Sequence, residues 1–388
     1  MSVTAAQGFS AAGVKAGLKA SGNHDVAVVL NEGPEFTAAG VFTSNRFKAA
    51  PVLWSLQVLA DRELKAVVLN SGGANACTGP DGFADTHHTA EYLATVLASR
   101  GSEYGAGEIA VCSTGLIGER LPMEKLCAGI DTAVAELSGT GGDNAALAIM
   151  TTDSVPKKSV VAGTGFIVGG MAKGAGMLAP GLATMLVVIT TDAMVDADLA
   201  DAGLRHATSL SFDRIDSDGC MSTNDTVLLL ASGASGVRPS AVEFTEALTG
   251  VCSSLALQLI HDAEGASKDI RIVVEQAQSI DDALVVARAI ARSNLLKCAL
   301  HGEDPNWGRV LAAAGTTSAA FDPDQVDVAM NGIWICRGGG LGEDRSLVSL
   351  AAREIEIRVV LRAGSAEATI WTNDLTADYV HENSAYST

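Results

Sequence analysis

Residues 169–192 read GGMAKGAGMLAPGLATMLVVITTD. Five glycines and Pro180 lead up to Ala183, then Thr184, then an unbroken apolar run from Met185 to Ile189. A short apolar run beside Gly and Pro predicts a strand covered on both faces, here Thr184–Ile189. The glycine-rich stretch before it reads as a loop. One hydroxyl therefore stands where a loop enters a core strand. Strands favour Thr, so Thr184 has a plain reading as the first residue of that strand. It also has a chemical one. A flexible backbone can bring the Thr184 hydroxyl onto the carbonyl of small Ala183. An N-to-O acyl shift and hydrolysis of the resulting ester would divide the chain between Ala183 and Thr184. The freed Thr184 would then carry its own base, because an α-amino group titrates near ~7.7–8.0 in free peptides.

The same stretch offers a competing signature. Gly174-Ala175-Gly176-Met177-Leu178-Ala179 fits G-x-G-x-x-A, but a dinucleotide fingerprint must open a helix. Pro180-Gly181 follows at once and would break that helix. There is no G-x-S-x-G elbow, no H-E-x-x-H and no Walker A sequence. His87 and His88 are adjacent on a helix-like segment and do not share a face, so no metal site is expected there.

Outward from residue 184, strand-like and helix-like segments alternate. Val26–Leu30, Ala66–Leu69, Ile109–Cys112, Thr226–Leu230, Ile270–Val274, Val326–Ala329, Ile355–Leu361 and Ala368–Trp371 read as strands. Asp85–Ser99, Met123–Leu137, Asp198–Leu210, Ala241–His261 and Asp281–Leu296 carry apolar residues at helical spacing. No long linker interrupts them. The mixture, with hairpins late in the chain, favours layered α/β sandwiches over one doubly wound sheet.

Composition narrows the class. Hydrophobic residues are 48% of the 388 and aromatics only 4%, so a large core must be built from Ala, Val, Leu and Ile. A net charge of −19 disfavours phosphate backbones and anionic membranes as partners. An anionic substrate must be met by a local cation. Seven cysteines, an odd number without a C-x-x-C pair, argue against a disulfide framework and a zinc ribbon. The opening MSVTAAQGFSAAGVKAG has no apolar h-region, and no apolar run nears the ~18 residues of a membrane span. A cytoplasmic protein without a membrane segment is the expectation.

KGAGMLAPGLATML followed by TTDA resembles the self-processing junction of the ornithine acetyltransferases, the glutamate N-acetyltransferases of the cyclic arginine pathway. NSGGANACTG (70–79), STGLIGERLP (113–122), TTDSVPK (151–157), STNDTV (222–227) and GEDPNWGR (302–309) resemble blocks of that family in the same order. The closing HENSAYST resembles its C-terminus, so the likeness runs over nearly the whole chain. Gly73 stands where the family often has Asn, and Cys220-Met221 replaces a more polar pair.

The resemblance implies an αβ/βα layered sandwich. It also implies cleavage into an α chain, 1–183, and a β chain, 184–388, that stay intertwined and pair as an α2β2 heterotetramer. Thr184 would attack the acetyl carbonyl of N2-acetylornithine, release ornithine, and pass the acetyl group to glutamate. Thr114 and Gly115 match the oxyanion hole. Thr151, Lys173, Thr184, Glu264, Asn383 and Thr388 match the substrate contacts. Lys173 suits the α-carboxylate shared by both substrates, Glu264 the ornithine side-chain ammonium, and Thr388, the last residue, offers a terminal carboxylate. No cofactor is expected. Some members also take acetyl-CoA as donor, which no phosphate-binding loop here decides. The alternatives are an N-terminal-nucleophile aminopeptidase, which would pass its acyl group to water, and a binding protein in which Thr184 is an ordinary strand residue.

Overall fold

The structure, a computed structural model, describes residues 2–101, 104–179 and 185–385. Ala183, Thr184 and Thr388 lie outside the described residues. Among the described residues the strands form three sheets.

The first has the order β1-β2-β4-β5: β1 (Phe9–Val14), β2 (Val26–Asn31), β4 (Ala66–Asn70) and β5 (Ile109–Ser113). All four strands are buried along their whole length, as their mostly apolar sequences require, and Ser10, Asn31, Asn70 and Ser113 are buried with them. The second runs β3-β9-β8-β7-β6: β3 (Thr37–Phe42), β9 (Thr226–Ala231), β8 (Leu186–Thr191), β7 (Ile167–Lys173) and β6 (Lys157–Ala162). The two sheets pack face to face, and the period of two along each strand decides which residue goes where. Met171, Leu186, Val188, Leu228 and Leu230 share a core with the first sheet. Their neighbours Val168, Ala172, Val187, Ile189, Val227 and Leu229 face a second core.

That second core is roofed by α5 (Ala197–Leu210) and α6 (Ala241–His261). On the far side α1 (Ala50–Val58), α2 (Gly79–Ala98) and α3 (Met123–Ala135) cover the first sheet, and short α4 (Gly142–Ala148) packs on β1 and β2. The layers are therefore helix, sheet, sheet, helix. Strands β3, β6 and β7 precede residue 183 and β8 and β9 follow it, so the second sheet is built from both sides of that point.

The third sheet has the order β13-β12-β11-β14-β10-β15. It comprises β10 (Asp269–Ala277), β11 (Asp327–Met330), β12 (Ile333–Arg337), β13 (Gly340–Leu341), β14 (Glu354–Val360) and β15 (Ala366–Asn373). Its inner face shares a core with α7 (Ile280–Ala291), α8 (Asn294–His301) and α9 (Trp307–Ala314). The sheet is pinned to the sandwich by a bond from Asp216 N–H to Trp371 O at 2.9 Å and from Asn373 Nδ2 to Ile260 O at 2.9 Å.

Three sequence expectations shift. The helix expected over Asp281–Leu296 breaks after Ala291, because Ser293 caps a new helix by accepting the Leu296 N–H. The helix expected from Asp85 starts at Gly79 behind a Pro in its first turn. The glycine-rich stretch is not loop from its start, since β7 runs on to Lys173. Gly169 is small for a packing reason: a Cβ there would lie 2.3 Å from Ser2 O.

Candidate active site

Lys173 is the last residue of β7, and two positions before it Met171 points into the space between the two sheets. Lys173 follows the same side of the strand and is only 2% exposed. Its Nζ donates to Thr114 Oγ1 at 3.2 Å, just past the end of β5. The Thr114 N–H is taken by Asn70 O at 3.0 Å, which leaves the hydroxyl as the group Thr114 presents. Gly115 has φ +133, and a Cβ there would sit 2.9 Å from Gly73 Cα and N, so a side chain has no room. Asn224 steadies this corner by donating to Ala74 O at 2.6 Å and Ser113 O at 2.8 Å.

Burial lowers the pKa of Lys173, opposed first by the charge of Asp153. Asp153 is the hub beneath the lysine. Its carboxylate accepts from Thr151 N–H at 2.9 Å, from Gly174 N–H at 2.6 Å and from the buried Lys157 ammonium. Burial pushes Asp153 up, yet the charges of Lys173 and Lys157 and the Gly174 bond hold it below the usual carboxylate range. Lys157 also bonds Asp262, next to the turn that carries Glu264. Lys19 adds a third cation in this neighbourhood. It donates to Met150 O at 2.6 Å and His24 O at 2.8 Å, and burial lowers it to about 8.

The backbone from Gly174 to Ala179 is irregular, not the helix a dinucleotide fold needs. Gly174 has φ +151, and Met177 adopts φ +56, which costs a non-glycine residue ~1–2 kcal/mol. The stretch is tied down at each step. Ala175 O accepts from Glu264 N–H at 3.0 Å, Met177 N–H donates to Asp218 Oδ2 at 2.7 Å, and Leu178 O accepts from Ser217 N–H at 2.6 Å. Gly176 lies flat against the Glu264 carboxylate, where a Cβ would approach within 2.6 Å.

Glu264 sits in the turn after α6. The helix ends at His261, and Gly265 serves a different purpose from ending it. With φ +61 it lets α10 (Ala377–Ala385) approach so closely that a Cβ would meet Tyr379 N at 2.2 Å. That approach brings Asn383 Nδ2 to Glu264 Oε2 at 2.9 Å. A cleft of about 550 Å³ opens here, lined by Asp262, Glu264, Asp378 and Glu382 together with Arg353, His261 and His381.

Thr114 and Lys173 share a direct bond, Thr151 is tied by its N–H to Asp153, and Glu264 and Asn383 form a separate bonded pair, while the charges of Asp153 and Glu264 both act on Lys173. Asp153, Lys157, Asp218 and Asp225 were not singled out from the sequence, although Asp153 stands in TTDSVPK and Asp225 in STNDTV. Nothing in those blocks distinguishes a buried carboxylate from an ordinary turn residue. Among the described residues no group of three or more His, Cys, Asp or Glu is placed to hold a metal ion, and no helix is long and apolar enough to cross a membrane.

Two packed sheets between helical layers, with a buried lysine bonded to a threonine hydroxyl at their seam, make this chain an α/β layered sandwich. The chain belongs to the ArgJ family, whose model matches residues 10–388. It is 66% identical over 387 residues to the arginine biosynthesis bifunctional protein ArgJ of Streptomyces coelicolor, covering 100% of both chains. The protein of the same name from Thermobifida fusca is 62% identical over 388 residues, again covering 100% of both. A crystal structure of ornithine acetyltransferase complexed with ornithine, from Mycobacterium tuberculosis, is 59% identical, with a TM-score of 0.44, and the match covers 48% of this chain and 96% of that one.

Proposed function

We propose that this chain cuts itself between Ala183 and Thr184 and then moves an acetyl group from N2-acetylornithine to glutamate through an acetyl-Thr184 ester. The observation that carries the reading is the Lys173–Thr114 bond beside the start of β8: the register pairs Lys173 with Leu186, two residues after Thr184. Lys173 receives the α-carboxylate common to both substrates. Thr114, with Gly115, steadies the oxyanion that forms when Thr184 attacks. Glu264 faces the ornithine ammonium, and Thr151, Asn383 and Thr388 complete the substrate contacts. Released ornithine is replaced by glutamate, whose amine takes the acetyl group. The acyl-enzyme must be shielded from water for transfer to outrun hydrolysis.

The resulting chains, 1–183 and 184–388, stay joined because the second sheet draws strands from both. An α2β2 assembly in the cytoplasm accompanies this reading. The relatives' description as bifunctional supports acetyl-CoA as a second donor. Family membership sets aside the aminopeptidase and binding-protein alternatives. Intact-mass measurement, with glutamate offered beside acetylornithine or acetyl-CoA, tests the reading. Wild type should give two chains and N-acetylglutamate, and Thr184→Ala one chain and no product. Normal cleavage in that variant would overturn the mechanism.

A further inference from the structure

Lys19 stands in the turn between β1 and β2, a segment held by the buried carboxylate of Asp25. Asp25 accepts the N–H groups of Ala16, Leu18 and Lys19 at 2.6, 2.6 and 3.1 Å. The turn packs on the Thr114 corner. A Cβ on Gly72 would lie 2.4 Å from Leu18 Cβ, and the next residue, Gly73, forms a β-bridge with Thr114. The Lys19 ammonium reaches Met150 O at 2.6 Å. Met150 adjoins Thr151, whose N–H is bound by Asp153 beneath Lys173. Lys19 is thus tied to the Lys173 junction through both Gly72 and Met150, and the charges of Lys173 and Asp153 act on it.

The three cations gathered here differ in what neutralises them. Lys157 is fully buried between the carboxylates of Asp153 and Asp262. Lys173 is fully buried against the Thr114 hydroxyl. Lys19 is half-buried, and among the described residues its ammonium bonds two carbonyl oxygens, Met150 O and His24 O, and no carboxylate. One of its three N–H groups is left for a ligand. A half-buried ammonium also holds a carboxylate more firmly than an exposed one, because less water screens the pair.

The two substrates of the exchange share an α-carboxylate but end in opposite charges, an ammonium on ornithine and a carboxylate on glutamate. Glu264 suits the first and repels the second. In a chain of net charge −19 the second carboxylate needs a local cation. We propose that Lys19 binds the side-chain carboxylate of glutamate, so that one site takes substrates of opposite side-chain charge by turning them towards Glu264 or towards Lys19. This rests on the acetyl-exchange reading above and adds the residue that selects the acceptor.

The test compares glutamate with glutamine as acetyl acceptors, with acetylornithine as donor and purified enzyme. Glutamine has the same length and lacks only the charge. Wild type should favour glutamate in kcat/KM by at least about tenfold. Lys19→Gln keeps an amide that donates to carbonyl oxygens. It should raise KM for glutamate about tenfold or more, leave glutamine and acetylornithine within about twofold, and bring the two acceptors close to equal. Lys19→Arg keeps the charge and should keep the preference. Wild type using both acceptors equally overturns the proposal without any variant. So does Lys19→Gln with the wild-type preference, or with KM raised in parallel for all three substrates, the mark of a purely structural turn residue. Wild type that moves no acetyl group from acetylornithine to glutamate sinks the exchange reading itself.

Discussion

Lys173 Nζ donates to Thr114 Oγ1 at 3.2 Å, joining the end of β7 to the end of β5 across the seam between the two sheets. Because the hydroxyl oxygen accepts from the ammonium, its own proton is directed elsewhere. With the Thr114 N–H already engaged by Asn70 O, the oxyanion contact proposed for Thr114 falls to that O–H.

Thr114→Ala should therefore lower kcat by about 10²–10³-fold while KM for acetylornithine stays nearly constant, because the oxyanion exists only after attack. Steady-state kinetics on fully cleaved enzyme check this. A raised KM with unchanged kcat would assign Thr114 to ground-state binding instead.

Burial lowers Lys173 from its ordinary value of 10.5. The ammonium is the form that binds a carboxylate, so its loss as pH rises through the depressed value should raise KM. The rise should appear for acetylornithine and glutamate alike, below the pH at which an ordinary lysine titrates. Lys173→Met should show a high KM for both that is flat over the same range.

Glu264→Gln should raise KM for acetylornithine by about tenfold, roughly 1.4 kcal/mol, and leave glutamate within about twofold. Of the two substrates only acetylornithine carries a side-chain ammonium for the Glu264 carboxylate. Equal effects on both substrates would show that Glu264 acts by holding Asn383 and the Gly176 backbone.

Asp153 makes a stability prediction. Its folded-state pKa is depressed, so its contribution is full above the ordinary value of ~3.9 and fades as pH falls through the depressed one. Asp153→Asn leaves Lys157 and Lys173 short of a buried counter-charge and should cost ~3–5 kcal/mol at pH 7. Urea titrations should show the gap from wild type closing at acid pH.

Five of the sandwich strands, β2, β4, β5, β8 and β9, were legible because they are covered on both faces, whereas β1, β3, β6 and β7 were not read as strands. Val26–Leu30 and Leu186–Ile189 are continuous apolar runs with no helical competitor. Strand β7 was hidden because Gly169 and Gly170 answer to neighbours distant in sequence, Ser2 and the side chains of α6. The break at Arg292 was hidden because Ser293 reads as one more helical residue until its cap is seen. Thr114, Lys173 and Asn383 stand in family-like blocks and Glu264 was named from the resemblance as a whole. Asp153 and Asp225 were not singled out, because a carboxylate's burial and partners are set by tertiary packing.

The central claim is that Thr184 carries the acetyl group between donor and acceptor. Brief incubation with acetylornithine alone, acid quenching and intact-mass analysis test it most directly. One acetyl mass should appear on the 184–388 chain, none on 1–183, and glutamate should discharge it. An unmodified 184–388 chain under conditions where ornithine is released, with intersecting double-reciprocal plots, would contradict the account and point to direct transfer between two bound substrates.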